Sequence, residues 1–385
     1  MDICFINDSV FAGRALKGQL ALYLVKNAYV KGYLKRIISN GYEESVIDSS
    51  IIKNAVPLSK FVNAGLIRIK KYLPVEIPIR YYSDRIFDNF ASRRVVDCDI
   101  FFCLTPICAK SIEVAKRNGS GIVTRDSFVN PDFGLKILKH ENEIYGIKNQ
   151  HDFLKMRKMN NKCLQQSDWI FACSQYSKYT HITSGISEEK IIVINQGVDT
   201  KRFVPGNNHD EFRGIFVGGT VGPYKGVKYL LESWKGFAKN NQELLVCGYI
   251  EKVVKELFKR YTNRINMKLT GFVNPLEYYK QASVLIYPSL SEGFEKVTLE
   301  AMSCGLPIIT TTNTGAAGII KDGKEGFVVP IRDSKSIENH LMYLYENPSE
   351  LKRMGKNARR LAEKFNWEEF SIKICNYLEM IYDER

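Results

Sequence analysis

The chain repeats one pattern from end to end: a short apolar run, a loop, then a helical periodicity. Apolar runs occur at 2–6 (DICFI), 99–104 (DIFFCL), 121–124 (GIVT), 169–173 (WIFAC) and 191–194 (IIVI). They recur at 214–218, 244–248, 267–271, 283–287, 307–310 and 326–329. Such short runs, bounded by turn residues, read as strands buried on both faces. Between them, Leu16, Leu20, Tyr23, Leu24 and Ala28 keep helical spacing. So do 148–166, 334–346 and 349–364, and Ser174 is placed to cap a helix reaching about Ser184. A last helix starts near Asn366-Trp367. Strands alternating with helices imply parallel sheets covered on both faces.

At 385 residues the chain exceeds the roughly 250–300 residues at which one core stops growing. The polar stretch 195–212 (NQGVDTKRFVPGNNHDEF) interrupts the alternation and reads as the junction. The expected architecture is therefore α/β, with two Rossmann-like doubly wound domains facing a central cleft. We place them at 1–205 and 206–365, followed by a terminal helix at 366–385. Ligands of such sheets sit outside the carboxyl ends of the strands. The chemistry is expected in loops that follow strands.

Charge separates the halves. Of the net +13, +10 lies in 1–205, which holds 30 basic and 20 acidic residues. A basic half suggests an anionic partner. No nucleic-acid module is recognisable. The basic, tyrosine-bearing stretch LIRIKKYLPVEIPIRYY, with Lys31-Lys35-Arg36 and Arg93-Arg94, suits peripheral contact with an anionic membrane surface as well as a solvated face. The first residues lack a signal-peptide pattern, and no run approaches the roughly 18–20 apolar residues that span a bilayer. The nine cysteines include no CxxC pair, which favours buried thiols in a reducing cytosol over disulfides or zinc.

Two segments carry most of the chemistry. In 288–309 (PSLSEGFEKVTLEAMSCGLPII), Glu292 and Gly293 fall in a strand-to-helix loop, and a helix is expected from about Val297 to Ser303. Loop amides at Gly293 and Phe294 and the helix start favour an anion. Glu292 and Glu300 suit two acceptors for hydroxyls on separate parts of a long ligand. In 216–226 (FVGGTVGPYKG), Gly218, Gly219, Gly222 and Gly226 admit close backbone approach, and Lys225 stands where an ammonium reaches a phosphate. The P-loop pattern is absent. Gly13 and Arg14, after the first strand, are expected to face the cleft. Asp97-Cys98-Asp99 has a metal-binding spacing but opens an apolar strand, and reads as a strand start. The five histidines form no cluster in sequence.

These segments resemble a known family. SEGFEKVTLEAMSCGLPII, with seven residues between Glu292 and Glu300, is similar to the signature of the retaining glycosyltransferases of the group-1, or family-4, class with the GT-B fold. NQGVDTKRFVP resembles their interdomain segment, FVGGTVGPYKG their diphosphate loop, and FNWEEF the start of their final helix, which crosses back to the first domain. The resemblance implies that Lys225 binds the donor diphosphate and Glu292 the hydroxyls of the transferred sugar. Gly219 and Thr220 line the diphosphate loop. Gly293, Phe294 and Val297 contribute backbone contacts, Glu300 accepts from the ribose, and Gly271 and Phe272 lie near the base. The sequence departs from the pattern in three places. Gly219 and Thr220 stand where an Arg is common, with Arg14 a candidate replacement. Glu295 stands where a glycine is usual. TRDSFVNPDF has no His, leaving Asp126 or Asn130 as candidates for that place.

The resemblance implies transfer of a sugar from a nucleotide-diphosphate sugar to an acceptor hydroxyl, with Glu292, Lys225 and Asp126 as catalytic candidates and no metal or other cofactor required. The acceptor expected is a glycan or lipid-linked glycan of cell-surface polysaccharide or lipopolysaccharide biosynthesis. The expected location is cytoplasmic, peripheral on the inner membrane face. Two other readings stand beside it: a catalytically silent assembly partner, and a nucleotide-sugar epimerase.

Overall fold

In the computed structural model, which describes residues 1–8, 16–41, 43, 47–56, 79–147, 151–206, 211–238 and 242–385, the apolar runs become strands of two parallel sheets. The first sheet contains β1 (Ile3–Ile6), β2 (Leu34–Ser39), β3 (Ile52–Asn54), β4 (Ile100–Cys103), β5 (Gly121–Asp126), β6 (Trp169–Ala172) and β7 (Ile191–Val193). Their order is β3-β2-β1-β4-β5-β6-β7. The second contains β8 (Arg213–Val221), β9 (Glu243–Ile250), β10 (Met267–Gly271), β11 (Val284–Tyr287), β12 (Ile308–Thr311) and β13 (Gly326–Val329), in the order β10-β9-β8-β11-β12-β13.

Strands β1, β4 and β11 are buried at every position, which is why they read as unbroken apolar runs. The sequence reading assigns no strand to β2 or β3. Lys35 and Arg36 interrupt β2 before its buried half, and β3 is a three-residue edge strand with two exposed positions. It likewise assigns no element to Pro131–Ile144. There Asn130 caps a helix by accepting from the Asp132 amide at 2.9 Å, with Pro131 in the first turn.

The two sheets share one topology. Each reverses its strand order beside its first strand, between β1 and β4 and between β8 and β11. Such a reversal opens a crevice at the carboxyl ends of the strands. Gly13 and Arg14, expected to face the cleft, lie outside the described residues.

The chain crosses between domains twice, side by side. Val198 N–H donates to Phe365 O at 2.7 Å, and a Cβ on Gly197 would stand 2.7 Å from the backbone of Asn366 and Trp367. The helix Trp367–Asp383 then lies on the first domain. Trp367 stacks on Tyr23 with ring centroids 5.1 Å apart, and Asn27 donates to Ser371 at 2.9 Å. Phe370, Ile374, Leu378 and Ile381 are buried in the first domain's core.

Candidate active site

The second domain's crevice is built by two loops zipped together. Gly226 ends the turn Pro223–Lys225 at φ +68°, and a Cβ there would run into the Pro288 carbonyl. Glycine is required on both counts. Leu290 N–H and the Ser289 hydroxyl donate to Tyr224 O at 2.9 and 3.1 Å, joining the β8 loop to the β11 loop. The Lys225 ammonium thereby meets the Glu292 carboxylate and donates to the Tyr287 hydroxyl at 2.6 Å. Burial works against its charge, but the Tyr287 oxygen and the Glu292 carboxylate outweigh it and hold the ammonium above the ordinary lysine range. The backbone of Glu292 is fixed from both sides, donating to Asn313 O at 3.0 Å and accepting from Gly315 N–H at 3.1 Å.

Glu300 faces a different partner, accepting from the Tyr279 hydroxyl at 3.3 Å. The helix Lys296–Ser303 carries it, and burial raises its carboxyl above the usual range. The Val297 carbonyl accepts from the same Tyr279 hydroxyl at 3.3 Å, and Phe294 is buried. Gly219 and Thr220 are exposed at the bulged end of β8, with open space over Gly219. Gly271, at φ +71°, ends β10 and presents Phe272, which is 80% exposed.

The first domain approaches this site at a single glycine. A Cβ on Gly293 would stand 2.6 Å from Ser127 O and 2.8 Å from Phe128 Cα. Side chains of the first domain hold the loop there. Ser174 Oγ donates to Gly293 O at 2.6 Å, Gln196 Nε2 to Phe294 O at 3.0 Å, and Tyr176 and Ser291 share a 3.1 Å hydrogen bond. Between the domains lies a cavity of about 360 Å³. Tyr224, Lys225, Ser291 and Glu292 line one wall; Pro106, Ile107, Phe128, Val129, Leu138 and Met156 make the other largely apolar.

Asp126 stands behind that wall and is not among its lining residues. Its carboxylate accepts from Phe128 N–H at 3.0 Å and so shapes the turn that carries Phe128. Burial pushes its carboxyl up to about 7 against the pull of the Phe128 amide and Arg125. Among the described histidines, dispersed in sequence, His181 meets a carboxylate in space. His181 Nε2 lies 3.4 Å from Asp126 Oδ2, and its Nδ1 lies 3.4 Å from the Asn130 amide. His181 is fully buried, which draws its pKa down to about 4. Sequence reading missed His181, Tyr176, Ser174 and Phe128 as site-shaping residues. Only Ser174 carried a local signal, as the cap of Gln175–Thr183, where it accepts from Ser177 N–H at 2.9 Å.

Glu295 is buried with neither carboxylate oxygen in hydrogen-bonding geometry, and burial beside Glu292 raises its carboxyl to about 8. Among the described residues, no group of three or more His, Cys, Asp and Glu side chains is arranged to hold a metal ion. No described helix is long and apolar enough to cross a membrane.

Residues 198–361 match the family of glycosyl transferases group 1. The match lies almost wholly in the second domain and covers less than half of the chain. The capsular polysaccharide biosynthesis glycosyltransferase CapM of Staphylococcus aureus is 30% identical over 235 residues, covering 54% of this chain and 62% of that protein. The chain thus spans less than two thirds of that relative's length. Among solved structures, sucrose-phosphate synthase from Thermosynechococcus elongatus superposes with a TM-score of 0.72 at 16% identity, covering 100% of both chains. HepE of Anabaena, in complex with UDP and glucose, superposes with a TM-score of 0.68 at 17% identity, covering 99% of this chain and 100% of that one. The fold of the whole chain is GT-B-like, with both Rossmann-like domains of the group present.

Proposed function

We propose that this protein is a retaining glycosyltransferase that moves a hexose from a nucleotide-diphosphate sugar to the hydroxyl of a glycan or lipid-linked glycan in cell-surface polysaccharide assembly. The observation that carries the reading is the Lys225–Glu292 pair at the second sheet's crevice, facing an apolar wall across the cavity. A diphosphate is the natural competitor for that ammonium. Its arrival releases Glu292 to accept from sugar hydroxyls, so one ion pair is exchanged for two charge-assisted contacts. Glu300 and the Gly271-Phe272 corner extend the site toward a ribose and a base. HepE, which binds UDP and glucose, has the same fold, and CapM acts in capsular polysaccharide synthesis.

Each side of the site then has a task. Lys225 and the loop amides stabilise charge on the leaving diphosphate, which needs no metal in this reading. The first domain orients the acceptor against the apolar wall and excludes water. Asp126, held behind the wall, positions Phe128. A panel of nucleotide sugars read by thermal shift, repeated with Lys225→Ala, tests the reading. One donor stabilises the wild type, and the variant loses that shift. An acceptor product with the donor's anomeric configuration supports retention, and an inverted product refutes it. An enzyme that interconverts nucleotide sugars without acceptor is an epimerase instead.

A further inference from the structure

The first domain carries a second concavity, of about 750 Å³, on the outer side of the cleft wall. That lies within the roughly 300–1,000 Å³ typical of ligand sites. It forms where the helices Ile79–Ala91, Ala109–Arg117 and His151–Gln166 meet. Two of these helices also line the cleft cavity. Arg80 and Met156 face the cavity, while their chain neighbours Tyr81 and Lys155 face the groove. The groove is therefore reached from the cavity across one helical ridge.

Its charge is one-sided. The groove contains two carboxylates, and both are engaged by the protein. Asp88 accepts from the Lys110 and Ser111 amides at 2.8 and 2.9 Å, tying it to the start of the helix Ala109–Arg117. Glu113 pairs with Lys162 at 2.7 Å. Arg85, Lys110, Lys155 and Lys158 make no ion pair among the described residues. Lys155 Nζ stands 6.0 Å from the ring centroids of both Tyr81 and Tyr82, and Arg85 lies 5.8 Å from that of Tyr81. Cations therefore flank a pair of aromatic rings, while Ile86, Phe90 and Met159 contribute apolar surface.

We propose that this groove binds an acidic stretch of the acceptor glycan, its uronate or phosphate groups on Arg85, Lys110, Lys155 and Lys158 and its sugar rings on Tyr81 and Tyr82. This rests on the reading of the cleft as the site of sugar transfer, since a groove one helical ridge from the cavity lies where an acceptor chain extends beyond its reacting end. The concavity suits a chain better than a bilayer. Tyr82, at 41% exposed, is the one large hydrophobic side chain of the groove among the strongly exposed described residues, so the groove has no aliphatic anchor to insert into lipid.

The test titrates the full-length protein with four probes: an oligogalacturonate, an oligo(glycerol phosphate), a neutral maltooligosaccharide of matched length, and phosphatidylglycerol vesicles. Binding is measured at about 50 and about 200 mM salt. At least one anionic oligomer is expected to bind about tenfold more tightly than the neutral one, and to weaken with salt. The stronger of the two identifies carboxylate or phosphate as the anion. The double variant Lys155→Glu/Lys158→Glu is expected to lose that preference while keeping the wild-type melting temperature and nucleotide-sugar shift. Tyr81→Ala should weaken both anionic and neutral oligomers. The proposal is overturned if neutral and anionic oligomers bind alike, if the preference survives the double variant, or if the vesicles alone bind. Loss of the nucleotide-sugar shift in the wild type would instead refute sugar transfer while leaving binding in the groove to stand or fall on its own titration.

Discussion

The two domains share a strand order and differ in where they keep their polar groups. The second brings Lys225 and Glu292 together at its crevice, half-buried and facing the cavity, with the buried Tyr287 hydroxyl behind them. The first buries Arg125, Asp126, His181 and Glu141 and turns Phe128 and Val129 toward the same cavity. One wall therefore offers charge and the other offers shape. A phosphate-bearing ligand requires an exposed cation and free amides, which dictate residue types in the loops. An apolar wall requires only that a loop be held rigidly, which many residues can do from behind.

The largest expected effect tests whether the charged wall does the chemistry. Glu292→Gln should lower kcat about 100-fold, near 2.7 kcal/mol, with a much smaller change in diphosphate affinity. Steady-state kinetics with product inhibition by the nucleoside diphosphate checks both. Equal loss in the two would mean that Glu292 serves only to place Lys225.

Next in size is a buried contact that ties the domains together. Arg332 donates to Glu141 at 2.8 Å and to Ile137 O at 2.9 Å, and Tyr229 donates to the same carboxylate at 3.0 Å. Glu141 is fully buried, and Arg332 holds a left-handed φ of 66°. Arg332→Ala leaves that carboxylate with Tyr229 as its remaining side-chain donor and should cost about 2 kcal/mol in urea unfolding. A loss under about 1 kcal/mol would mean that the domains separate easily and the apolar wall is not rigid.

The third prediction concerns pH. Asp126 and Glu295 are raised to about 7 and about 8, so each contributes stability that is present below its unfolded pKa and is lost as pH rises through the folded value. His181, lowered to about 4, contributes with the opposite sign and only below its unfolded pKa of about 6.5. Stability should therefore fall from about pH 4 to pH 8, by at most about 1.4 kcal/mol per pH unit for each carboxyl, with His181 offsetting one of them up to about pH 6.5. Glu295→Gln should flatten the upper part of that fall in denaturant titrations. An unchanged slope would show that burial does not keep Glu295 protonated.

The smallest effect lies at the rim. Phe272 is largely exposed, so Phe272→Ala should leave the melting temperature unchanged while weakening the donor about fivefold, near 1 kcal/mol, through lost base stacking. Calorimetry with the nucleoside diphosphate and with inorganic diphosphate separates stacking from phosphate binding, since only the former should respond.

Legibility followed the same division. Central strands are legible because burial on both faces leaves unbroken apolar runs, as at ICFI and VLIY. Strand β2 escaped because Lys35 and Arg36 disguise its first half, and β3 because it is a three-residue edge strand with two exposed positions. The basic cluster that suggested a membrane face proves partly committed within the protein. Lys31 pairs with Glu379 and Lys35 with Asp2, each at 2.7 Å, and Arg36 donates to Arg94 O at 3.3 Å. Arg68, Lys70, Lys71 and Tyr72 lie outside the described residues.

Sequence alone determined the alternation of strands and helices, the loops in which Lys225 and Glu292 stand, and the helix that carries Glu300. These are local matters: glycine at a left-handed turn, a cap before a helix, an apolar run in a sheet. Tertiary structure alone decided that Lys225 and Glu292, 67 residues apart, form a pair, that Ser174 and Gln196 hold the Gly293–Phe294 backbone, and that Asp126 lies against His181 behind the cavity wall. Contacts between segments distant in sequence depend on how separately determined surfaces meet. No short stretch of either surface contains that information.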